Sequence, residues 1–347
     1  MSARIYLYDR TGRLRTELGT GEFRLGPRSY CLSKIGDCHF AVPTSNPKCT
    51  EDNLGGGNLV KVVSTLGVPA WGGRIETATF NGAGEVEIKA ESREVILKSM
   101  VIDWDLMPGV DDLMAAGPRI EQILQYKIQV GDLVGITIGE IYTGGDLLSF
   151  NAFGASIWDD VIPRLRADAW EKGTSGRQPE CYVDADGAFH WLEQRGQDRR
   201  QSVLIRGGYH TSRKTARVVR DWARVISRGV AFGNAAGWEH KEKQSYTDEG
   251  WKALYGVREA PTDARSNEPD EVRQAARKMI KRPLIKVDIQ VNSRIDWSLL
   301  GLGDIVRMSL PHHGWYGKGL VADIRIEGLE LEEGRKTMRL IGKEWIY

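Results

Sequence analysis

The chain has 347 residues, of which 41% are hydrophobic and 27% charged; this balance excludes a fibrous or wholly disordered protein, and the length allows two or three domains. Its 48 basic and 47 acidic residues nearly cancel, so overall charge gives no argument for binding nucleic acid or a membrane surface. The apolar runs are too short to span a bilayer, and residues 1–4 lead directly into a predicted strand. We therefore expect neither a membrane span nor a signal peptide.

The N-terminal part of the chain is predicted to be a run of short strands. Residues 4–8 alternate between apolar and polar and meet the turn 9–12, which predicts an opening hairpin. Further predicted strands are 38–43, 59–63, 74–80 and 86–90. Such closely spaced strands favour a small barrel or sandwich. Residues 94–107 fit either a strand or a helix, 108–112 are typical of a domain junction, and 120–124 fit a short helix.

The middle of the chain mixes helix and strand. Ser156 is a good N-cap for a helix over 157–169. Residues 181–191 alternate on both sides of Asp186-Gly187, which predicts a hairpin. Residues 217–228 place apolar side chains at helical spacing, although a strand is the competing interpretation.

The C-terminal part returns to strands after one helix. Ser266 or Asn267 is expected to cap that helix, Pro269 lies in its first turn and Pro283 ends it. Strands are predicted at 286–291, 304–308, 320–326 and 337–342. The expected fold is mainly β with α+β insertions: two similar small β-barrel-like domains and one or two smaller mixed domains. The predicted boundaries are 1–110, 111–245 and 246–347; in an alternative division, part of 203–245 belongs to the last domain.

One short pattern occurs near both ends of the chain. It reads Gly-Asn-Leu-Val-Lys-Val from Gly57 and Gly-Asp-Ile-Val-Arg-Met from Gly303. Each copy is followed by a glycine-containing aromatic loop and a new apolar run, which predicts a hairpin. The loop residues are Trp71 and Gly73 in the first copy and Trp315, Tyr316 and Gly319 in the second.

The two copies can be aligned residue by residue. Counting from Val60 and from Val306 aligns Gly73 with Gly319. Two like domains in one chain can imitate two subunits of a symmetric ring, so the repeat favours assembly over catalysis.

Candidate cofactor and catalytic residues form no recognisable site. Cys31, Cys38, Cys49 and Cys181 lack C-x-x-C spacing, and a cluster would require Cys181 to lie beside the other three; buried thiols are the simpler interpretation. The dense carboxylates Asp103, Asp105, Asp111, Asp112, Asp159 and Asp160 are explained equally well by turns and caps. There is no H-E-x-x-H, His312-His313 lie in the second predicted turn, and no Gly-x-Ser-x-Gly is present. We therefore expect no cofactor, no metal and no enzymatic activity.

The strongest local charge signal is a basic stretch. It contains Arg213, Lys214, Arg217, Arg220, Arg224 and Arg228. If the segment is helical, its guanidinium groups share one face that could meet phosphate or an acidic partner. A solvated or interface face is the simpler interpretation, because Trp222 is the one aromatic residue among them.

Four features in this order make the sequence resemble the hub proteins of phage tail tips and baseplates. This group includes contractile-phage hubs, late-control proteins, tail-associated proteins of non-contractile phages and the N-terminal part of type VI secretion spikes. The features are the opening hairpin at 6–12, the pattern at 57–62 with 71–75, the hairpin at 182–191, and residues 255–259 followed by the helix at 270–281 and the pattern at 302–306.

The resemblance implies a homotrimer in the virion tail tip or baseplate, assembled in the host cytoplasm. Two tube domains per subunit would form a ring of six, placing the hairpins around Trp71 and Trp315 at or near ring contacts. Implied partners are the distal tail or tail tube protein, the tape measure protein and a spike, tip or fibre protein, with DNA only passing through the lumen. The chain ends at Tyr347 soon after its last predicted strand, so no fibre or lysin extension is expected. Two alternatives stay open: a virion-associated cell-wall hydrolase, and a DNA-contacting tail component using Arg217 to Arg228.

Overall fold

The structure is a computed structural model that describes residues 3–102, 113–145, 147, 154–172, 178–211, 215–237, 240–264, 267–281, 284–311, 319–332 and 336–345. The chain is mainly β, as predicted, with 44% of the described residues in strands and 19% in helices. It divides into two compact units: unit 1 consists of Met1–Ala216 and Ile289–Trp345, and unit 2 of Arg217–Asp288.

The regular elements are bounded as follows. The strands are β1 (Ala3–Tyr8), β2 (Leu14–Leu18), β3 (Arg24–Cys31), β4 (Asp37–Pro43), β5 (Leu59–Ser64), β6 (Trp71–Phe80), β7 (Glu85–Ser92), β8 (Thr137–Ile141), β9 (Glu180–Val183), β10 (Ala188–Leu192), β11 (Leu204–Arg206), β12 (Arg217–Asp221), β13 (Arg228–Phe232), β14 (Lys243–Thr247), β15 (Glu259–Asp263), β16 (Leu284–Asn292), β17 (Ile305–Leu310), β18 (Leu320–Glu332) and β19 (Thr337–Glu344). The helices are α1 (Glu51–Leu54), α2 (Glu94–Lys98), α3 (Ala116–Gln129), α4 (Ile162–Lys172), α5 (Glu249–Tyr255) and α6 (Pro269–Lys278).

One four-stranded arrangement occurs twice in the large antiparallel sheet. In the N-block (β4 to β7) the spatial order is β4-β7-β6-β5, and in the C-block (β16 to β19) it is β16-β19-β18-β17. Each block has a short helical turn between its first and second strands: α1 in the N-block, and the 3-10 turn Trp297–Leu299 in the C-block. The repeat in the sequence therefore extends to a repeat in topology.

In the N-block, the repeated pattern forms a tight turn before β5, here named the N-turn (residues 55–58). Gly57 has a φ of 88°, a left-handed conformation that favours glycine. The amide of Asn58 donates to the carbonyl of Gly55 at 3.2 Å. Gly57 then donates to the carbonyl of Ile75 at 2.8 Å, and Ile75 donates back to Asn58 at 2.8 Å. The N-turn is thereby fastened to the middle of β6.

The C-block contains the same turn before β17, here named the C-turn (residues 301–304). Gly303 has a φ of 83°. Asp304 donates to Gly301 at 3.2 Å, Gly303 donates to Ile326 at 2.8 Å, and Ile326 donates back to Asp304 at 2.9 Å. Gly57 and Gly303 thus occupy equivalent positions, and Ile75 is equivalent to Ile326.

The predicted alignment of the two return strands is wrong. Val60 pairs with Gly73 in the first hairpin, but Val306 pairs with Ile324 in the second, not with Gly319. The ladder between β17 and β18 continues to Leu310 and Leu320, so the second hairpin is longer. Counting residues along the sequence gives the wrong alignment when the two hairpins differ in length. The hydrogen bonds of the turn fix the register instead.

A mixed α/β region of unit 1 lies between the blocks in sequence. Its sheet has the order β8-β10-β9, with β10 parallel to β8 and antiparallel to β9. Helices α2, α3 and α4 contribute to its core, together with the buried side chains Phe189 and Trp191. The predicted helix after Ser156 is confirmed. The Oγ of Ser156 accepts the amide of Asp159 at 3.3 Å, and a π-helical turn over Ile157–Val161 precedes α4. The predicted hairpin at 181–191 is confirmed as β9 and β10, while the short helix predicted at 120–124 is the longer α3.

Unit 2 contains a three-stranded sheet, β14-β13-β15, covered by α6. Gly229 of β13 lies where any Cβ would overlap the carbonyl oxygen of Ala276 in α6, so the helix approaches the strand closely. Asn267 does not cap α6 as predicted: the N-cap is Glu268, and the Asn267 side chain instead binds the backbone of His240 and Glu242. The other candidate cap, Ser266, and the predicted stop, Pro283, lie outside the described residues.

Three expectations stay predictions. The junction at 108–112 lies outside the described residues. The two compact units do not test the three predicted domain boundaries. The strand pairings likewise do not test whether the two copies are barrel-like.

The equivalent glycines provide a matched test of the repeat. Alanine at either position should lower the free energy of unfolding by about 1–2 kcal/mol, because both glycines have positive φ. Gly303→Ala should cost about 1–3 kcal/mol more, since its Cβ would lie 2.6 Å from the Arg195 carbonyl carbon, whereas a Cβ at Gly57 meets only the flexible side chain of Arg10. Urea denaturation measures both; equal losses would contradict the close approach at Gly303.

Candidate functional site

Trp71, predicted to lie at or near a ring contact, is buried in the N-block. Its indole is 2% exposed and its Nε1 donates to the carbonyl of Ser29 at 3.1 Å. A Cβ at Gly73 would overlap the indole ring, which explains the glycine at this position. The Trp71 side chain therefore packs in the core of its own block and presents no surface to a neighbour. That this hairpin lies near a ring contact stays a prediction.

The second predicted loop is described only at its end. Gly319 is exposed just before β18, and a Cβ there would lie 2.8 Å from the Cα of Pro311. Trp315 and Tyr316 lie outside the described residues, as do His312 and His313.

Residues 217–228 of the basic stretch are not helical, and Arg213 and Lys214 lie outside the described residues. Arg217 and Arg220 lie in strand β12, three positions apart, so they point to opposite faces. Arg224 lies 3.5 Å from the carboxylate of Asp221, and Arg228 lies 3.0 Å from that of Glu259. The helical alternative was wrong because the β-branched residues Val218 and Val219 also suit a strand, and this segment pairs with β16. The four guanidinium groups consequently form no single basic face.

The most deeply buried charged contact lies between β9 and the C-block. Glu180 and Arg325 form an ion pair at 2.5 Å, with side chains only 7% and 8% exposed. Arg325 also donates to the carbonyl of Gly303 at 3.3 Å and to that of Arg195 at 3.2 Å, while the amide of Arg195 donates to Glu180 at 2.8 Å. This pair joins the mixed region to the C-turn.

Asp304 extends this network from the C-turn itself. Its carboxylate is 5% exposed and lies 2.8 Å from Nε of Arg199. It also accepts the amides of Gln197 at 2.7 Å and of Gly301 at 2.9 Å. The segment after β10 is thus held against the C-turn by charges whose hydrogen-bonding capacity is largely satisfied, as burial requires.

A more exposed charge network borders an open groove of about 490 Å³ beside β17. Arg200 pairs with Asp198 and, at 3.2 Å, with Asp323, which in turn lies 2.8 Å from Arg307. The hydrogen bonds from Arg200 lower the pKa of Asp198 to about 2. The groove is therefore lined by charges already paired with one another, which leaves no free charge of one sign for a ligand.

The mixed region also contacts the N-block. Lys61 of β5 lies 2.5 Å from the carboxylate of Asp186 in the turn between β9 and β10. A Cβ at Gly72 would lie 2.6 Å from the Cα of Ala185 in the same turn. Both blocks therefore pack against the mixed region, the C-block through buried charges and the N-block through a close backbone contact and a more exposed pair.

A cavity of about 270 Å³ lies beside this contact and contains a buried acid that the sequence did not reveal. Glu94 is 4% exposed, and burial raises the pKa of its carboxyl above the usual 4.5. Its Oε1 accepts the amide of Val183 at 3.0 Å, and Arg195 and Tyr182 line the same cavity. The only sequence signal is one carboxylate before the apolar run Val95-Ile96-Leu97.

A second carboxylate, Asp184, lines the cavity with Glu94. Burial opposes its ionisation, but hydrogen bonds from Ala188, His190 and Asp186 outweigh burial and lower the pKa of Asp184. Two carboxylates with opposite pKa shifts are the pattern of a glycosidase. Here, however, both Asp184 oxygens are used, Oδ1 by the turn amides and Oδ2 by His190 at 3.3 Å. Asp184 is therefore explained by the turn that it stabilises.

The cysteines do not come together. Cys38 lies in the core of the N-block and Cys181 in the core of the mixed region, where burial raises the pKa of its thiol to about 12. Within the described ranges, no group of three or more His, Cys, Asp or Glu side chains could hold a metal ion. Of the helices that the structure describes, none combines the length and apolarity needed to span a membrane.

Three solved structures resemble this chain from end to end. The 43 kDa tail protein of prophage MuSo2 from Shewanella oneidensis matches with a TM-score of 0.66 at 11% identity, covering 99% of this chain and 97% of that one. The prophage tail protein gp18 from Listeria monocytogenes EGD-e matches with 0.62 at 12% identity, covering 99% and 94%. The tail protein from Neisseria meningitidis MC58 matches with 0.61 at 15% identity, covering 99% and 97%. The chain shares its fold with these tail proteins.

No family model and no curated protein sequence matches the chain. At such low identities the likeness concerns the fold, and the expected resemblance to tail proteins is confirmed at that level. The likeness assigns no role to an individual residue.

Removing one partner of the Glu180–Arg325 pair should be costly. Arg325→Met should lower the free energy of unfolding by about 3–5 kcal/mol, because it leaves a buried carboxylate without its partner. Adding Glu180→Gln should restore part of the loss. The matched control is Arg339→Met, which breaks the exposed pair with Glu330 and should cost at most about 1 kcal/mol. Equal losses in urea denaturation would show that burial does not distinguish the two pairs.

The raised pKa of Glu94 predicts a pH dependence of stability. Above pH 4.5 the unfolded chain loses the Glu94 proton while the folded chain retains it, so stability falls as pH rises through the folded-state pKa. Glu94→Gln keeps the Oε1 acceptor without the charge; it should match the parent at pH 4 and be more stable at pH 7. The control Glu51→Gln, at an exposed position, should leave the profile unchanged. Urea midpoints measured from pH 4 to 8 test this prediction. Parallel profiles of stability against pH for Glu94→Gln and the parent would contradict the buried-acid interpretation.

Proposed function

We propose that this protein is a structural hub of a phage or phage-like tail tip or baseplate, and that it functions as a homotrimer. The observation that supports this most is the repetition of one four-stranded block, with its glycine turn, inside a single chain. The shared fold with three tail proteins points to the same kind of assembly.

The duplication explains how a trimer could form a ring with six similar blocks. Three chains with two like blocks each would contribute six similar blocks to one ring, neighbouring blocks being related by a rotation near one-sixth of a turn. Such a ring would match a hexameric tube on one side and three-fold components on the other. In this proposal the mixed region and the β14-β13-β15 sheet of unit 2 contribute the three-fold part, and the ring surrounds the channel through which DNA passes.

The proposed partners follow from this position in the tail. They are the tail tube or distal tail protein, the tape measure protein, and a spike, tip or fibre protein. The protein is proposed to act without catalysis, because the hydrogen bonds of the Asp184 carboxylate leave Glu94 without a second free carboxylate for glycoside chemistry among the described residues that line the cavity. The DNA-contacting alternative is weakened by the division of Arg217 and Arg220 between two faces of β12.

Electron cryomicroscopy of isolated tails or tail-like particles tests the proposal. The expected result is three copies of the chain around the axis, with six similar blocks in one ring. Two or six copies of the chain, or a position away from the axis, would overturn it. Peptidoglycan zymography addresses the hydrolase alternative directly: lysis by the purified chain that a single Glu94→Gln change abolishes would favour catalysis over the hub.

A further inference from the structure

The two blocks differ in how one strand edge is covered. In the C-block, β18 continues beyond its ladder with β17, and residues 328–331 pair antiparallel with residues 28–31 of β3. The same residues pair with β19 on their other edge. Strand β3 therefore covers the part of the β18 edge that β17 leaves open.

The equivalent stretch of the N-block is residues 77–80 of β6. The equivalence is fixed by a bulge in each block, because the ladder shifts between Ile75 and Thr77 in the first and between Ile326 and Gly328 in the second. Residues 77–80 pair with β7 on one edge, but the ladder with β5 ends at Arg74. No described strand pairs with their other edge. All four residues are exposed, and Phe80 is 77% exposed.

An open edge of this kind is a template for another strand. No described strand pairs with the backbone N–H and C=O groups of this edge. The exposed side chain of Phe80 adds apolar surface at its end. The C-block indicates which strand would fit, since there the place is taken by the strand that precedes the neighbouring block.

The counterpart of β3 in the second half of the chain is β12. Strand β3 pairs antiparallel with β4, the first strand of the N-block. Within unit 2, β12 pairs antiparallel with residues 284–288 of β16, the first strand of the C-block. β12 ends the strand order, so its second edge has no partner among the described strands. Val219 on this strand is 37% exposed.

We propose that residues 77–80 of β6 receive β12 from a second copy of this chain, repeating between subunits the pairing that β3 and β18 make within one. The proposal rests on the trimer proposed above. In a three-fold ring, each chain would offer one open β6 edge and one β12 strand, so all three contacts are equivalent and each of these edges gains a partner.

The intrachain pairing also supplies a register. Val42 and Val291 are the last buried residues of β4 and β16, so we align these two strands on them. Cys38 then aligns with Val287. Their partners on the neighbouring strands, Arg28 of β3 and Val218 of β12, are therefore equivalent. Because Arg28 pairs with Leu331, Val218 of the second copy should face Phe80. An aromatic residue opposite a β-branched one is a favourable cross-strand pair.

Disulfide trapping tests this register. In a chain with Cys31 and Cys49 replaced by Ser, the double variant Phe80→Cys with Val218→Cys should form covalent dimers and trimers on oxidation of assembled tails. The matched control is Phe80→Cys with Val219→Cys, whose second thiol points to the opposite face of the strand and should cross-link at least about tenfold less. Equal cross-linking of the two pairs would overturn the register and the proposed pairing.

The trimer and the strand pairing can fail separately. Three copies around the tail axis without cross-linking of Phe80→Cys to Val218→Cys would overturn the pairing and leave the hub intact. Any other copy number would overturn both.

A charge placed on the edge provides a second test that needs no cysteines. Phe80→Asp should weaken self-association of the chain at least about tenfold in analytical ultracentrifugation, or abolish incorporation into tails, because a carboxylate would be buried opposite Val218. The control Leu254→Asp alters another exposed apolar side chain, 69% exposed on α5, and should have no such effect. Each variant is first shown to keep the parent's thermal midpoint within a few degrees. Equal behaviour of the two variants would count against the pairing.

Discussion

The architecture of both blocks depends on one backbone constraint, the glycine turn that precedes their second strand. A residue with positive φ reverses the chain, and reciprocal hydrogen bonds join the turn to the middle of the third strand. These bonds set the register of the hairpin from its open end. The loop at the other end is then free to vary in length, and in this chain it does: the β17–β18 hairpin is longer than the β5–β6 hairpin although the turns are equivalent.

The residue after the glycine shows how the two copies have diverged. The side-chain amide of Asn58 donates to the carbonyl of Asp52, six residues earlier, at 2.8 Å. Asp304 carries a charge at the same position and is surrounded by Arg199, two amides and the nearby Glu180–Arg325 pair. A buried ion pair adds little net stability but penalises any arrangement that separates its partners. The C-turn is therefore a point at which buried charges hold the mixed region, while the N-turn bonds to Arg10, Asp52 and Ile75 of its own half of the chain.

Local signals explain what could be predicted from the sequence. The hairpin of β9 and β10, the helix after Ser156 and the repeated turn each depend on residues close in sequence, and all are present. The failures concern long-range effects. Residues 217–221 are a strand because β16 pairs with them, and Glu94 is buried among residues of β3, β6 and β9 that are distant from it in sequence. The burial of the Trp71 indole within its own block could not be predicted either, since amphipathic aromatic residues suit cores and interfaces equally; that its hairpin lies near a contact between subunits stays a prediction.

A duplicated chain differs from a symmetric oligomer in one physical respect. One of its block-to-block contacts is made within the chain, through β3 and β18, at high effective concentration and with a fixed register. That register determines the rotation from one block to the next. If a contact between chains repeats the same strand pairing, as proposed above, it repeats the same rotation, and the intrachain pairing then sets the number of blocks in the proposed ring. A contact of a different register would change the rotation and lead to an open helix of subunits. In the ring proposed above, a second copy would fill the open edge at residues 77–80 without changing the symmetry, because the chain already fills the equivalent edge at residues 328–331 once, with β3.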